Sequence, residues 1–145
     1  MVKEFSKKNQ NTGKETITRN AKIWLSEEGI VWAVYSTGSE ETLEDAEVNL
    51  GAVEKVCRGK KYPIFINPGP HKAMSREARL YYVKNSPKYA TAIAVLMTSS
   101  FAKVLATFLS SLNKTINKGK FSVKFFLSED KALDWLREFM HQKSN

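Results

Sequence analysis

YPIFIN (Tyr62–Asn67) is followed by PGPHKAM (Pro68–Met74) and then by SREARLYYVKN (Ser75–Asn85). The first run is short and apolar on both faces, which is the pattern of a strand buried inside a sheet. Pro68, Gly69 and Pro70 then stiffen a loop. Ser75 is a good helix cap, and the helix it opens carries Arg76 and Arg79 in its first turn. A buried strand, a loop at its carboxyl end and a helix leading away form the repeating unit of an α/β fold.

The same pattern extends in both directions. Ile30–Tyr35 and Thr91–Met97 are two more apolar runs of strand length, and apolar runs separated by helices point to parallel strands joined by crossovers. Ahead of the first run, Ile17–Leu25 alternates, with Ala21, Ile23 and Leu25 on one side and Asn20, Lys22 and Trp24 on the other. With the turn residues Ser26–Gly29 it predicts an N-terminal β-hairpin. A helix is expected from Thr42, where Leu43, Ala46, Leu50, Val53 and Cys57 make one apolar stripe. Cys57 on that stripe reads as a small core residue. Glu40, Glu41, Glu44, Asp45 and Glu47 read as a solvated acidic face. Further on, a helix from about Ser100 to Asn113, a basic loop over 114–120, an edge strand over Phe121–Leu127 and a last helix opened by Ser128 complete the order. The expectation is one α/β domain over residues 17–142, with a mostly parallel five-stranded sheet, the hairpin and four helices. Residues 1–16 read as a mobile polar tail because Val2 and Phe5 alone offer little to bury, and 143–145 as a C-terminal tail.

A chain of 145 residues can bury a core without staples. It has one cysteine, no secretion signal and no apolar run of membrane-spanning length, so a cytoplasmic location is expected. The net charge of +8 is unevenly spread: residues 21–57 carry −6 and residues 58–90 carry +7. Such polarity can attract an anion, an acidic partner or a second copy. No helix-turn-helix or aromatic RNA-binding motif accompanies the basic stretch, which argues against nucleic acid as the partner. His71 and His141 are far apart, and no His-Glu-x-x-His, Cys-x-x-Cys or Gly-rich phosphate loop exists. Nothing here marks an enzyme, a metal site or a cofactor.

The element order, the Ser at the start of the second helix and the closing SEDKALDWL (Ser128–Leu136) resemble the STAS domain, the SpoIIAA-like fold of bacterial anti-sigma-factor antagonists. INPGP (Ile66–Pro70) and EARLY (Glu77–Tyr81) are similar to the uncharacterised SpoIIAA-like proteins grouped as STAS/SEC14 domain-containing. The resemblance implies a non-enzymatic interaction or regulatory module. It also implies that Ser75 stands where a partner kinase phosphorylates the antagonists, although the Asp that precedes that serine in the family is missing here. Asn67, His71, Lys72, Ser75, Arg76 and Arg79 are therefore the candidate residues for an anion or a phosphorylated or acidic protein partner, at a helix start whose dipole favours negative charge. The SEC14 kinship implies an alternative, a carrier or sensor of a small apolar, lipid-like ligand. If neighbouring parallel strands follow sequence order, right-handed crossovers place their helices on one face. The second face of Trp32's strand then needs another cover, and a homodimer is expected to supply it.

Overall fold

The computed structural model of the chain describes residues 15–36, 40–69, 73–97 and 122–143. Its elements are β1 (Thr16–Ile17), β2 (Ala21–Leu25), β3 (Val31–Tyr35), β4 (Glu40–Glu41), α1 (Leu43–Cys57), β5 (Tyr62–Asn67), β6 (Ala73–Met74), α2 (Arg76–Asn85), a 3-10 turn (Ser86–Lys88), β7 (Ala90–Leu96), β8 (Ser122–Phe126) and α3 (Glu129–Lys143). The expected helix at 100–113, the basic loop at 114–120 and Phe121 lie outside the described residues, as does the tail apart from Glu15 and Thr16.

The main sheet has six strands rather than the five expected, in the order β1-β2-β3-β5-β7-β8. The extra strand arises because Thr18–Asn20 turns the chain back, so that Thr16 pairs with Ile23. β1, β2 and β3 are antiparallel neighbours, and β3, β5, β7 and β8 run parallel. Between β2 and β3, Gly29 takes φ +92°, and the Ser26 amide bonds the Ile30 carbonyl at 2.9 Å to close the hairpin. A separate parallel ladder pairs β4 with β6. Its two-residue strands are too short to leave a periodic signal. The described residues hold three α-helices.

Strand alternation divides the core into two layers. Val31, Ala33, Ile64, Ile93 and Val95 face Leu50, Ala52, Val53 and Cys57 of α1 on one side, with Tyr81 and Tyr82 of α2 against the same cluster. Trp24, Trp32, Phe65, Ala92 and Ala94 face Ala132, Leu133 and Leu136 of α3 on the other. Trp24 is therefore a core residue, not the outward side of a half-buried strand. It stacks on Trp32 with ring centroids 5.6 Å apart, and Trp32 meets Phe65 edge-on at 4.9 Å. On this face β7 contributes Ala92 and Ala94, with Leu96 packed at the cluster's border.

The second face of Trp32's strand is thus covered from within the chain. The handedness rule constrains α1 and α2, each of which joins two parallel strands. α3 follows the last described strand and does not join two of the described strands, so the rule leaves it free to lie on the opposite face. Arg137 fixes it there with a forked pair to Glu28 in the β2–β3 turn, at 3.2 and 3.1 Å. The reason for expecting a homodimer falls away with this cover.

Candidate functional site

Where β3 and β5 end, four elements bring polar side chains into one buried cluster. Glu41 on β4 is 2% exposed. Its Oε2 accepts from Asn49 Nδ2 of α1 at 2.9 Å, from the Tyr35 hydroxyl of β3 at 3.3 Å, and from the Tyr82 hydroxyl of α2 in a short hydrogen bond. The two phenols lie 3.2 Å apart. Asn49 accepts in turn from the Thr18 hydroxyl at 2.6 Å, which wires the β1–β2 turn into the same group. Burial, followed by the negative charge of Glu41, raises the Tyr35 hydroxyl well above the ordinary phenol range. Burial also raises Tyr82, with Tyr35 as the next cause. Both phenols therefore stay protonated at neutral pH and act as donors to the carboxylate.

A second layer of polar contacts surrounds this cluster. Thr42 caps α1 and forms a reciprocal box with Asp45: the Asp45 amide reaches Thr42 Oγ1 at 3.2 Å and the Thr42 amide reaches Asp45 Oδ2 at 3.0 Å. Arg19 adds a forked pair to Asp45 at 3.1 and 2.5 Å, and its hydrogen bond holds the Asp45 carboxyl down at about 2. Arg19 also donates to the Glu40 carbonyl at 3.0 Å, as Asn20 does at 3.1 Å. Glu41 and Asp45 are buried members of a network, so only part of the run 40–47 is the solvated acidic face its composition indicates.

The cluster meets the expected site through one backbone bond. The Ser75 amide donates to the Glu41 carbonyl at 2.9 Å, continuing the β4–β6 ladder into the first residue of the α2 cap. Ser75 Oγ accepts from the Ala78 amide at 3.1 Å, as an N-cap should. Arg79 folds back and donates to the Met74 carbonyl at 3.0 Å. Asn67 turns inward on its own loop, accepting from the Gly69 amide at 3.0 Å. Gly69 has φ +60°, and a Cβ there would stand 3.2 Å from the Tyr35 carbonyl, so this position requires glycine. The Arg76 side chain is exposed and makes no hydrogen bond or ion pair with the described residues. His71 and Lys72 lie outside the described residues.

The structure thus brings Ser75, Arg76 and Arg79 together at one helix start and engages Asn67, Ser75 and Arg79 in local backbone bonds. Tyr35, Glu41, Asn49 and Tyr82 were missed because they come from four separated elements. One sequence signal pointed to them: Asn49 sits between Ala46 and Val53 on the apolar stripe of α1, where a polar residue needs a buried partner. Among the described residues no group of three or more His, Cys, Asp or Glu side chains could hold a metal ion. No helix among them is long and apolar enough to cross a membrane.

Comparison with known proteins gives a fold and a family. The chain is similar to the crystal structure of an uncharacterised protein of the DUF3478 family with a SpoIIAA-like fold, from Shewanella loihica PV-4. The two share 21% identity with a TM-score of 0.54, over 88% of this chain and 99% of that one. This supports the SpoIIAA-like fold. The family model that matches is a domain of unknown function, DUF7793, over residues 23–140, rather than a STAS model. No curated protein matches the chain.

Proposed function

Because the chain belongs to the DUF7793 family, whose function is unknown, we propose from its geometry that it is a non-enzymatic interaction module that presents the start of α2 to an acidic or phosphorylated protein partner. The observation that carries this reading is the bond from the Ser75 amide to the Glu41 carbonyl. It fixes the helix start to the backbone of Glu41, the residue whose carboxylate Tyr35, Tyr82 and Asn49 hold in place. A contact surface built on such a base is ordered before its partner arrives, and preorganisation lowers the entropy lost on binding. Arg76 faces water at the positive end of the helix dipole, and Arg79 stands one turn further on, so the surface favours anionic groups. The absence of catalysis belongs to the same proposal: the polar groups that converge here bond to one another and lie buried.

Ser75 is the modification site of this reading, and a phosphate on it would lie at the helix N-terminus, where the dipole stabilises negative charge. Fluorescence anisotropy with a degenerate phosphoserine peptide library, and with the same library unphosphorylated, tests the proposal on the full chain. The phosphorylated library should bind more tightly, and Arg76→Ala should weaken it by about tenfold, the value of one charge-assisted hydrogen bond. Equal affinity for both libraries, or an unaltered Arg76→Ala titration, overturns it.

A further inference from the structure

At the opposite end of the strands, where β5 begins and β2 and α1 finish, lies a cleft of about 820 Å³. That volume is within the range of small-molecule sites. Its floor is apolar: Leu25 closes β2, Val56 and Cys57 belong to the last turn of α1, and Tyr62 opens β5. Its rim carries the cations Lys55, Arg58 and Lys60, against the single carboxylate of Glu15. All three cations are exposed, and none makes an ion pair with the described residues.

Arg58 has a second peculiarity. It caps α1 in the left-handed conformation, with φ 52° and ψ 48°, and is the only non-glycine at positive φ among the described residues. Glycine takes this conformation without a Cβ penalty and is the usual residue at such a helix end. The backbone gains nothing from arginine in this conformation, so the reason for its presence lies in the side chain, which lines the cleft. A backbone held where its residue type is disfavoured points to a role beyond folding.

We propose that this cleft binds a small amphipathic anion, with an apolar body on the Leu25–Val56–Cys57–Tyr62 floor and a carboxylate or phosphate head at Lys55, Arg58 and Lys60. The site is separate from the α2 start and does not depend on the function assigned there. Such a head could come from a free long-chain acid or from an anionic lipid in a bilayer.

Isothermal titration of the full chain with dodecanoate, dodecanol, dodecyltrimethylammonium and inorganic phosphate tests the pairing of head and body. Dodecanoate should bind one per chain, and the alcohol about tenfold or more weakly, since it lacks the charge-assisted bonds. The cationic amphiphile and phosphate alone should give no saturable heat. Arg58→Gly should retain a native melting transition and lose about tenfold of dodecanoate affinity, and Lys55→Gln/Lys60→Gln should remove the preference for acid over alcohol. Flotation with phosphatidylglycerol vesicles beside phosphatidylcholine vesicles separates the two sources: a site for the free acid leaves the protein unfloated on both, and a headgroup site floats it on the anionic vesicles alone. Equal affinity for acid and alcohol, unaltered dodecanoate binding by Arg58→Gly, or no binding of dodecanoate and anionic vesicles alike overturns the proposal.

Discussion

The two ends of the parallel strands treat their polar side chains in opposite ways. Where β3 and β5 end, Glu41 is buried and satisfied by Tyr35, Tyr82 and Asn49, and even the exposed Arg19 is tied to Asp45. Where β5 begins, Lys55, Arg58 and Lys60 surround a cleft and pair with none of the described residues. Polar groups that bond one another give a fold its geometry, whereas groups left unpaired at a concave surface are available to a ligand. Substitutions inside the buried Glu41 cluster should therefore register chiefly in stability, and those around the cleft chiefly in binding.

The largest stability effect expected is at Glu41. Glu41→Ala removes the common acceptor of three buried donors, and each unsatisfied buried group costs about 1–3 kcal/mol. Partial access of water to the enlarged space offsets some of this, so a loss of about 3 kcal/mol is expected in urea unfolding, read as a lower midpoint at unchanged slope. Glu41→Gln keeps an acceptor but adds donors facing Asn49 and the phenols, and should lose about half as much. Tyr82→Phe deletes one hydroxyl and should cost about 1 kcal/mol. Because Tyr35 and Tyr82 touch each other as well as Glu41, their double substitution should depart from additivity. A fully additive cycle would show that the phenols act separately and would dissolve the idea of a single network.

Much of the fold was legible in the sequence at the level of elements. The Thr42 and Ser75 caps, the limits of β5 and the hairpin through Gly29 all follow from local signals of periodicity and turn chemistry. The contents of the cluster were not legible, because its members are pairwise ordinary: Tyr82 is one of two adjacent tyrosines, and Glu41 is one acid in a run of them. What singles out Glu41 is β4 pairing with β6, a contact between segments more than thirty residues apart. The placement of α3 was hidden for a different reason. Its amphipathic pattern announces a helix with one face to bury, but only a link between two parallel strands fixes the side of the sheet through handedness, and this helix is not a link between two described strands. The cleft leaves no sequence signal, since Leu25, Cys57 and Tyr62 read as ordinary strand or core positions in three different elements.

A smaller effect, read against pH, sharpens the first end of the comparison. Asp45 has its folded value lowered to about 2 from 3.8, with the Arg19 hydrogen bond as the main cause. A lowered folded value means that the carboxylate contributes stability above its unfolded value and loses it as pH falls from about 5 towards 2. Arg19 is largely exposed, so solvent screens the pair and the contribution is discounted to about 1 kcal/mol. The stability difference between wild type and Asp45→Asn should therefore shrink by about 1 kcal/mol between about pH 6 and pH 2, and Arg19→Gln should abolish most of that shrinkage. A difference that stays constant over this range would mean that Asp45 acts through the Thr42 box alone.

The smallest expected change bears on the second end. In Arg58→Gly three terms compete. Relief of the left-handed backbone favours the variant by about 1 kcal/mol. The greater freedom of glycine in the unfolded chain opposes it by a little less. Loss of a cation beside the helix C-terminus removes about 0.3 kcal/mol for an exposed group in salt. The sum is close to zero, so thermal unfolding should place the variant within about 0.5 kcal/mol of the wild type, on either side. A residue that the fold would exchange for glycine without loss is not there for the fold. If instead Arg58→Gly loses more than about 1 kcal/mol, the guanidinium supports the last turn of α1, and the contrast between a bonded end and an available end loses its clearest member.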